Sequence, residues 1–185
     1  MSIEDDLKSW SDKVLEVPNP SLRGVAACSF ARKAWLEDKV SLVECEDIFK
    51  QTIIECGNFD SENKSLVICA SYTLPDADEM SDWVVSMNDL TAKTDLHLVA
   101  FHPENGTEEA QLEFLYDPDW GDMTESPYCM IFIQSSLRAD DASIILEGQG
   151  FYDTYHDDEL NELIFEKRSR MQSDETSIYE EETYR

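Results

Sequence analysis

Side chains able to act as nucleophiles or as acids and bases near neutral pH are scarce in this 185-residue chain. There are five cysteines, Cys28, Cys45, Cys56, Cys69 and Cys129, and three histidines, His97, His102 and His156. The cysteine count is odd and no two stand as a Cys-x-x-Cys pair, which argues against a disulfide framework and against a zinc knuckle. Reduced thiols acting as small hydrophobes are expected instead. His97 and His102 fall on one predicted strand, five positions apart, and an odd separation sends them to opposite faces. They are poorly placed to share a metal. With no His-x-x-x-His or Glu-x-x-His pair, no metal and no cofactor are expected. His102 is the more interesting of the two: it ends its strand and precedes Pro103 and an Asn105-Gly106 turn. Strand ends commonly carry functional side chains, and histidine is the usual general base. The same position also suits a histidine that simply closes the edge of the core.

Carboxylates are the abundant chemistry. The formal charge is −27. Such a field excludes direct binding of DNA or RNA through phosphates, and binding to an anionic membrane surface. It favours a basic protein partner and leaves open mimicry of nucleic acid, with carboxylates in place of phosphates. The charge is uneven. Residues 1–64 carry 13 acids and 8 bases, whereas residues 65–185 carry 28 acids and 6 bases. Between Lys93 and Arg138 there are nine acids and no base, and a second base-free run separates Arg138 from Lys167. The run Asp117-Pro118-Asp119-Trp120-Gly121-Asp122 has the composition of a cation loop but not the alternating ligands, sixth-position glycine and twelfth-position glutamate of an EF-hand. A solvated acidic loop is the simpler reading. Asp140-Asp141 and Asp157-Asp158-Glu159 are placed at helix N-termini, where carboxylates meet the positive end of the dipole.

The elements that must position these groups are predicted from periodicity. Ile3, Leu7, Trp10 and Val14 recur at helical spacing behind a Ser2 cap, and Pro18 and Pro20 end that helix. Asn19-Pro20 reads as the start of a second helix reaching Trp35. Ser41-Leu42-Val43-Glu44 fits a capping box, with Leu42, Cys45, Phe49, Ile53 and Cys56 as the stripe behind it and Gly57 as the stop. The N-terminal third is therefore expected to be helical. Residues 66–72 form a short apolar strand, Asp76 or Asp78 caps a helix carrying Met80, Trp83, Val84, Met87 and Leu90, and residues 96–102 form the next strand. Strand, helix and strand in that order predict a right-handed crossover and a parallel pair. Two more strands are expected at 112–116 and 129–135, then helices over 137–146 and about 157–170. The fold expected is α+β: a helical N-terminal third packed on a small mixed four-stranded sheet with a parallel βαβ crossover, flanked by C-terminal helices. Residues 1–170 form one domain and 171–185 an acidic polar tail. No stretch approaches the roughly 18 consecutive apolar residues of a membrane span. The acidic start, Met-Ser-Ile-Glu-Asp-Asp, is unlike a secretory signal, so a cytoplasmic protein is expected.

Three segments, taken in order, carry a resemblance. They are Ala27-Cys28-Ser29-Phe30-Ala31, Val99-Ala100-Phe101-His102-Pro103 and Thr124-Glu125-Ser126-Pro127-Tyr128. Together they resemble the bacterial domain-of-unknown-function 1415 family, over roughly residues 9–137. Its members carry Cys-Pro-Phe-Ala, Ser-Phe-His-Pro and Arg-Ser-Pro-Tyr-Pro segments at similar separations. Here Ser29 stands where that family has proline, Glu125 where it has arginine, and Cys129 where it has the second proline. The Glu125 difference reverses a charge. The resemblance implies a relative rather than an activity, and suggests that Cys28, His102, Ser126 and Tyr128 converge, with Arg32 or Lys33 supplying positive charge nearby. Cysteine and histidine within reach could generate a thiolate nucleophile, and the same residues packed together would make an ordinary core.

Two functions fit this chain. One is an acidic binding or regulatory protein that engages a basic protein partner through the anionic surface of residues 95–166. The other is a small enzyme or ligand-binding domain, with Cys28, His102 and Tyr128 as catalytic residues and Arg32, Lys33 and Ser126 as ligand-binding ones.

Overall fold

The computed structural model describes residues 2–19, 25–26, 28, 31–91, 93–106 and 126–148. Helix α1 (Ile3–Trp10) opens on a capping box in which Ser2 and Asp5 satisfy each other's backbone N–H groups. Its apolar residues Ile3, Leu7 and Trp10 are all buried. A π-helical turn, Ser11–Leu15, follows directly. Two-residue strands β1 (Pro18–Asn19) and β2 (Val25–Ala26) pair antiparallel. Helix α2 (Ala31–Leu36) ends in a Schellman motif: the Asp38 amide donates to the Trp35 carbonyl and the Lys39 amide to the Ala34 carbonyl. The motif needs a left-handed residue, and Asp38 supplies it at φ 56°.

Strand β3 (Val40–Cys45), helix α3 (Ile48–Asn58), strand β4 (Leu66–Ser71), helix α4 (Ala77–Leu90) and strand β5 (His97–Phe101) come next. The last described elements are a 3-10 turn (Pro103–Gly106), strand β6 (Cys129–Gln134) and helix α5 (Ser136–Gly148). The four longer strands form one sheet in the order β3-β4-β6-β5. β3 and β4 are parallel, and β6 runs antiparallel to both β4 and β5. The chain thus forms an α+β fold on a mixed four-stranded sheet.

Alternation sorts the sheet's side chains. Val67, Cys69, Leu98, Cys129, Ile131 and Ile133 point to one face and pack with Ile48, Met80 and Val84 of α3 and α4. Ile68, Ala70, Met130 and Phe132 point to the other and meet Ile3, Leu7 and Trp10 of α1. The central strands β4 and β6 are almost wholly buried and read as continuous apolar runs, as strands covered on both faces do. β5 lies at an edge. Asn88 of α4 donates to the Leu98 carbonyl at 2.9 Å and accepts from the Leu98 amide at 2.8 Å, standing in for a neighbouring strand.

Three expectations are corrected. Val40–Cys45 is a strand and not the start of a helix: Val40 and Leu42 pack towards α1, Val43 and Cys45 towards α3 and α4, a two-residue period that the Ser41–Glu44 spacing conceals. Helix α3 begins at Ile48, and its cap is Asp47, which accepts from the Lys50 amide at 3.0 Å. Second, Val25–Ala26 is extended and not helical, so the N-terminal third is mixed in structure. Third, β4 and β5 run in the same direction but are not neighbours, because β6 lies between them; the adjacent parallel pair is β3 with β4, joined through α3. The strand expected at 112–116, the acidic loop at 117–122, the helix at 157–170 and the tail from 171 lie outside the described residues. Among the described residues no helix is long and apolar enough to cross a membrane.

Candidate functional site

His102, Ser126 and Tyr128 lie at one end of the sheet, where β4 and β5 finish and β6 begins. His102 is 1% exposed. Its Nδ1 accepts from the Glu104 amide at 3.1 Å and its Nε2 lies 3.0 Å from the Pro75 carbonyl. An acceptor at Nδ1 and a carbonyl opposite Nε2 define the neutral imidazole that carries its hydrogen on Nε2. Both nitrogens are therefore occupied: Nε2 ties the end of β5 to the loop ahead of α4, and Nδ1 holds the 3-10 turn that follows. Ser126 is buried and donates to the Tyr128 carbonyl. The Tyr128 hydroxyl donates to Asp6 Oδ2 at 2.7 Å, and its ring meets Tyr72 edge-on at 5.3 Å. The hydrogen bond to the Asp6 carboxylate, helped by desolvation, pushes the Tyr128 hydroxyl up to about 12.

Cys28 belongs to a different place. It lines a half-open cleft of about 610 Å³ on the α1 face of the sheet, together with Leu7, Trp10, Leu15, Trp35 and Phe132. The sheet wall of this cleft comes from the starts of β3 and β4 and the last residues of β6, the end opposite His102. The Cys28 amide donates to the Leu15 carbonyl at 2.8 Å. Lys33 stands at the rim of the cleft; Arg32, beside it on α2, is exposed and is not among the lining residues. The cleft thus takes in Cys28 and Lys33, while His102, Ser126 and Tyr128 are not part of its lining.

No family model, curated protein or solved structure matches the chain. What the residues can do is therefore judged on their geometry. Burial raises the thiols of Cys45, Cys56, Cys69 and Cys129, the last three to about 11, 12 and 11. These four stay protonated at neutral pH and behave as core side chains. Among the described residues no group of three or more His, Cys, Asp or Glu side chains is placed to hold a metal ion.

Two groups of residues gain importance from the structure. The first is the cationic rim of the cleft, where Lys39 and Arg138 join Lys33. Ser65 connects them: its amide donates to the Lys39 carbonyl at 2.9 Å, and its hydroxyl accepts from Arg138 Nη1 at 3.1 Å. Arg138 stands out in the sequence as the one base between two base-free runs, and that isolation was its signal. The second is the outer face of α4. Asp78, Asp82, Val85 and Asp89 follow at intervals of four, three and four, one row along a helix. The row lies opposite Met80 and Val84, which are buried. The four are exposed, as are neighbouring Glu79 and Leu90. The helix carries no Lys or Arg, and no described cation forms an ion pair with it; the ion pairs between described residues, Lys33–Glu37 and Lys39–Glu37, lie on the other side of the sheet.

Proposed function

We propose that this is an acidic binding protein that engages a basic protein partner through the outer face of α4. One observation supports this above others: among the described residues no cation forms an ion pair with the row Asp78-Asp82-Val85-Asp89. Like charges four apart on a helix destabilise it, so the row is a burden on the free protein that a cationic partner would relieve. Val85, 59% exposed, and Leu90, 78% exposed, add apolar area beside the carboxylates, giving a partner something to desolvate as well as charge to meet. Regularly spaced carboxylates are also the form that mimicry of a phosphate backbone takes, so a nucleic-acid-binding protein is the class of partner favoured. The enzyme reading, built on Cys28, His102 and Tyr128, has less support. His102 has both nitrogens engaged, and Tyr128 already donates its proton to Asp6.

The test is affinity capture on the immobilised full-length protein from an extract of the cells that make it, followed by titration of the captured protein across salt concentrations. A basic partner is expected whose affinity falls steeply with salt. Asp78→Asn/Asp82→Asn/Asp89→Asn should weaken it by roughly tenfold or more, whereas Glu4→Gln/Asp12→Asn/Glu62→Gln, with the same change of charge elsewhere, should not. Duplex DNA should compete if the surface is a mimic. Equal loss in both triple variants would leave only nonspecific attraction and sink the reading.

A further inference from the structure

The cleft is where the charge pattern of this chain is reversed. Among the described residues acids outnumber bases by 23 to 9. At the cleft the bases Lys33, Lys39 and Arg138 outnumber the acids Glu37 and Asp141. Placement by composition alone would have made this rim anionic. The interior is apolar and aromatic, built from Leu7, Trp10, Leu15, Trp35, Ile68 and Phe132. Its volume is within the range of small-molecule sites, which combine apolar walls with a few placed polar groups.

Its polar groups are also arranged. The Trp35 indole N–H is satisfied within the protein, donating to Ser11 Oγ at 3.2 Å, and Ser11 in turn donates to Glu16 at 2.9 Å. Trp35 therefore presents an apolar ring to the cleft without an indole hydrogen in need of a partner. The cations are concentrated at the sheet end, where Arg138 is steered by its bond to Ser65 and Lys39 by the Schellman turn that closes α2. A ligand that matches this would be apolar along most of its length and negative at one end.

We propose that the cleft binds a small amphipathic organic carboxylate. Its apolar body lies against Trp10, Trp35 and Phe132, and its carboxylate is held by Arg138 and Lys39. Lys39 lies 3.4 Å from Glu37 Oε2, and Lys33 is 3.8 Å from Oε1 of the same carboxylate. Glu37 occupies these lysines in the free protein, and the ligand's carboxylate shares them or displaces it. This site is independent of the α4 face, on the opposite side of the sheet.

The test is calorimetric titration of the full-length protein with decanoate and, separately, with decanol, with tryptophan fluorescence as a second readout. Decanoate is expected to bind with one-to-one stoichiometry, and decanol roughly tenfold or more weakly, the usual scale for a charge-assisted contact. Lys39→Met/Arg138→Met should bring decanoate down to the affinity of decanol. Ala34→Phe, which fills the cleft from α2, should weaken both, with circular dichroism confirming that each variant is folded. Equal binding of the alcohol and the acid, stoichiometry well above one, no saturable binding, or indifference to Lys39→Met/Arg138→Met would each overturn the proposal.

Discussion

The two faces of the sheet are finished differently. On the α3/α4 side, Cys69, Met80, Cys129, Ile131 and Ile133 are fully buried, and the outer face of α4 beyond them carries carboxylates with no Lys or Arg on that helix. On the α1/α2 side, Trp10, Phe101 and Phe132 pack as a trio of tilted and edge-on rings. The same side leaves a cleft whose rim collects cations. An imbalance of charge that runs along the sequence thus becomes an imbalance between two sides of the folded chain. Lys33 and Lys39 from the nearly balanced N-terminal part are brought to the same rim as Arg138, while α4 keeps only acids. Close packing with an anionic exterior suits recognition by an outside partner; open packing with a cationic rim suits an inside guest.

The packing difference should give the largest effect. Ile131 is fully buried at the centre of the α3/α4 side. Ile131→Ala removes atoms from a site with no room to collapse, and should cost roughly 2–5 kcal/mol of stability. Leu15 lines the cleft, is only half-buried and already borders open space. Leu15→Ala should cost less than half as much, because little new cavity surface is created. Equal shifts in the urea midpoint would show that the two sides are packed alike and would break the comparison.

A second effect tests how the tightly packed side is locked to the sheet. Asn88→Ala removes both bonds to Leu98, leaving one backbone donor and one acceptor of β5 without the side chain that covers them. About 1–3 kcal/mol is expected, with faster hydrogen exchange at the Leu98 amide. Asn88→Asp keeps the acceptor for the Leu98 amide but loses the donor, and should fall between the two. No change in exchange at Leu98 would mean that solvent already reaches that edge.

A third effect belongs to the polar cluster on the α1 side. The Tyr128 hydroxyl is raised from 10 to about 12 by Asp6. The unfolded chain therefore releases this proton before the folded one does, so the tyrosine's contribution is fully present below pH 10 and declines as pH rises towards 12. Cys56, Cys69 and Cys129, raised from 9 by burial, begin the same decline one unit earlier. Tyr128→Phe should remove the tyrosine share and leave that of the thiols. Urea midpoints from pH 8 to 11.5 would show a shallower alkaline slope in the variant. An unchanged slope would mean that Asp6 and Tyr128 are not coupled.

Much of the scaffold was legible because its signals are local. β4, β5 and β6 are apolar runs of strand length, and α4 combines an Asp76 cap with a buried stripe. β3 was not legible. Its six residues gain their identity from pairing with β4, about 25 positions on, and Ser41 and Glu44 happen to fall at capping-box spacing. Strand order was hidden for a related reason: the position of β6 between β4 and β5 depends on burying Ile131 and Phe132 on both faces, which no local window reports. The site divides in the same way. His102 at a strand end could be read directly, but its partner at Pro75 could not. Asp6 and Tyr128 are 122 positions apart, and Lys39 meets Arg138 only through Ser65. Residues that carry charge into a fold of this kind reveal their purpose only when the chain closes.

The smallest effect is also the most diagnostic of what the α4 face is for. Asp89 is the penultimate residue of α4 and is exposed. A negative side chain there faces the negative end of the helix dipole, and a positive one would be favoured. Asp89→Lys should therefore stabilise the free protein by roughly 0.3–1 kcal/mol at low salt, with the gain shrinking as salt screens it. The same substitution should weaken capture of the basic partner, since it places a positive charge, like the partner's own, within the row Asp78-Asp82-Val85-Asp89. Stability and binding moving in opposite directions would mark Asp89 as a residue kept at a cost to the fold. If stability rises and capture is untouched, Asp89 is only a misplaced charge, and the partner must rest on the other carboxylates of the helix.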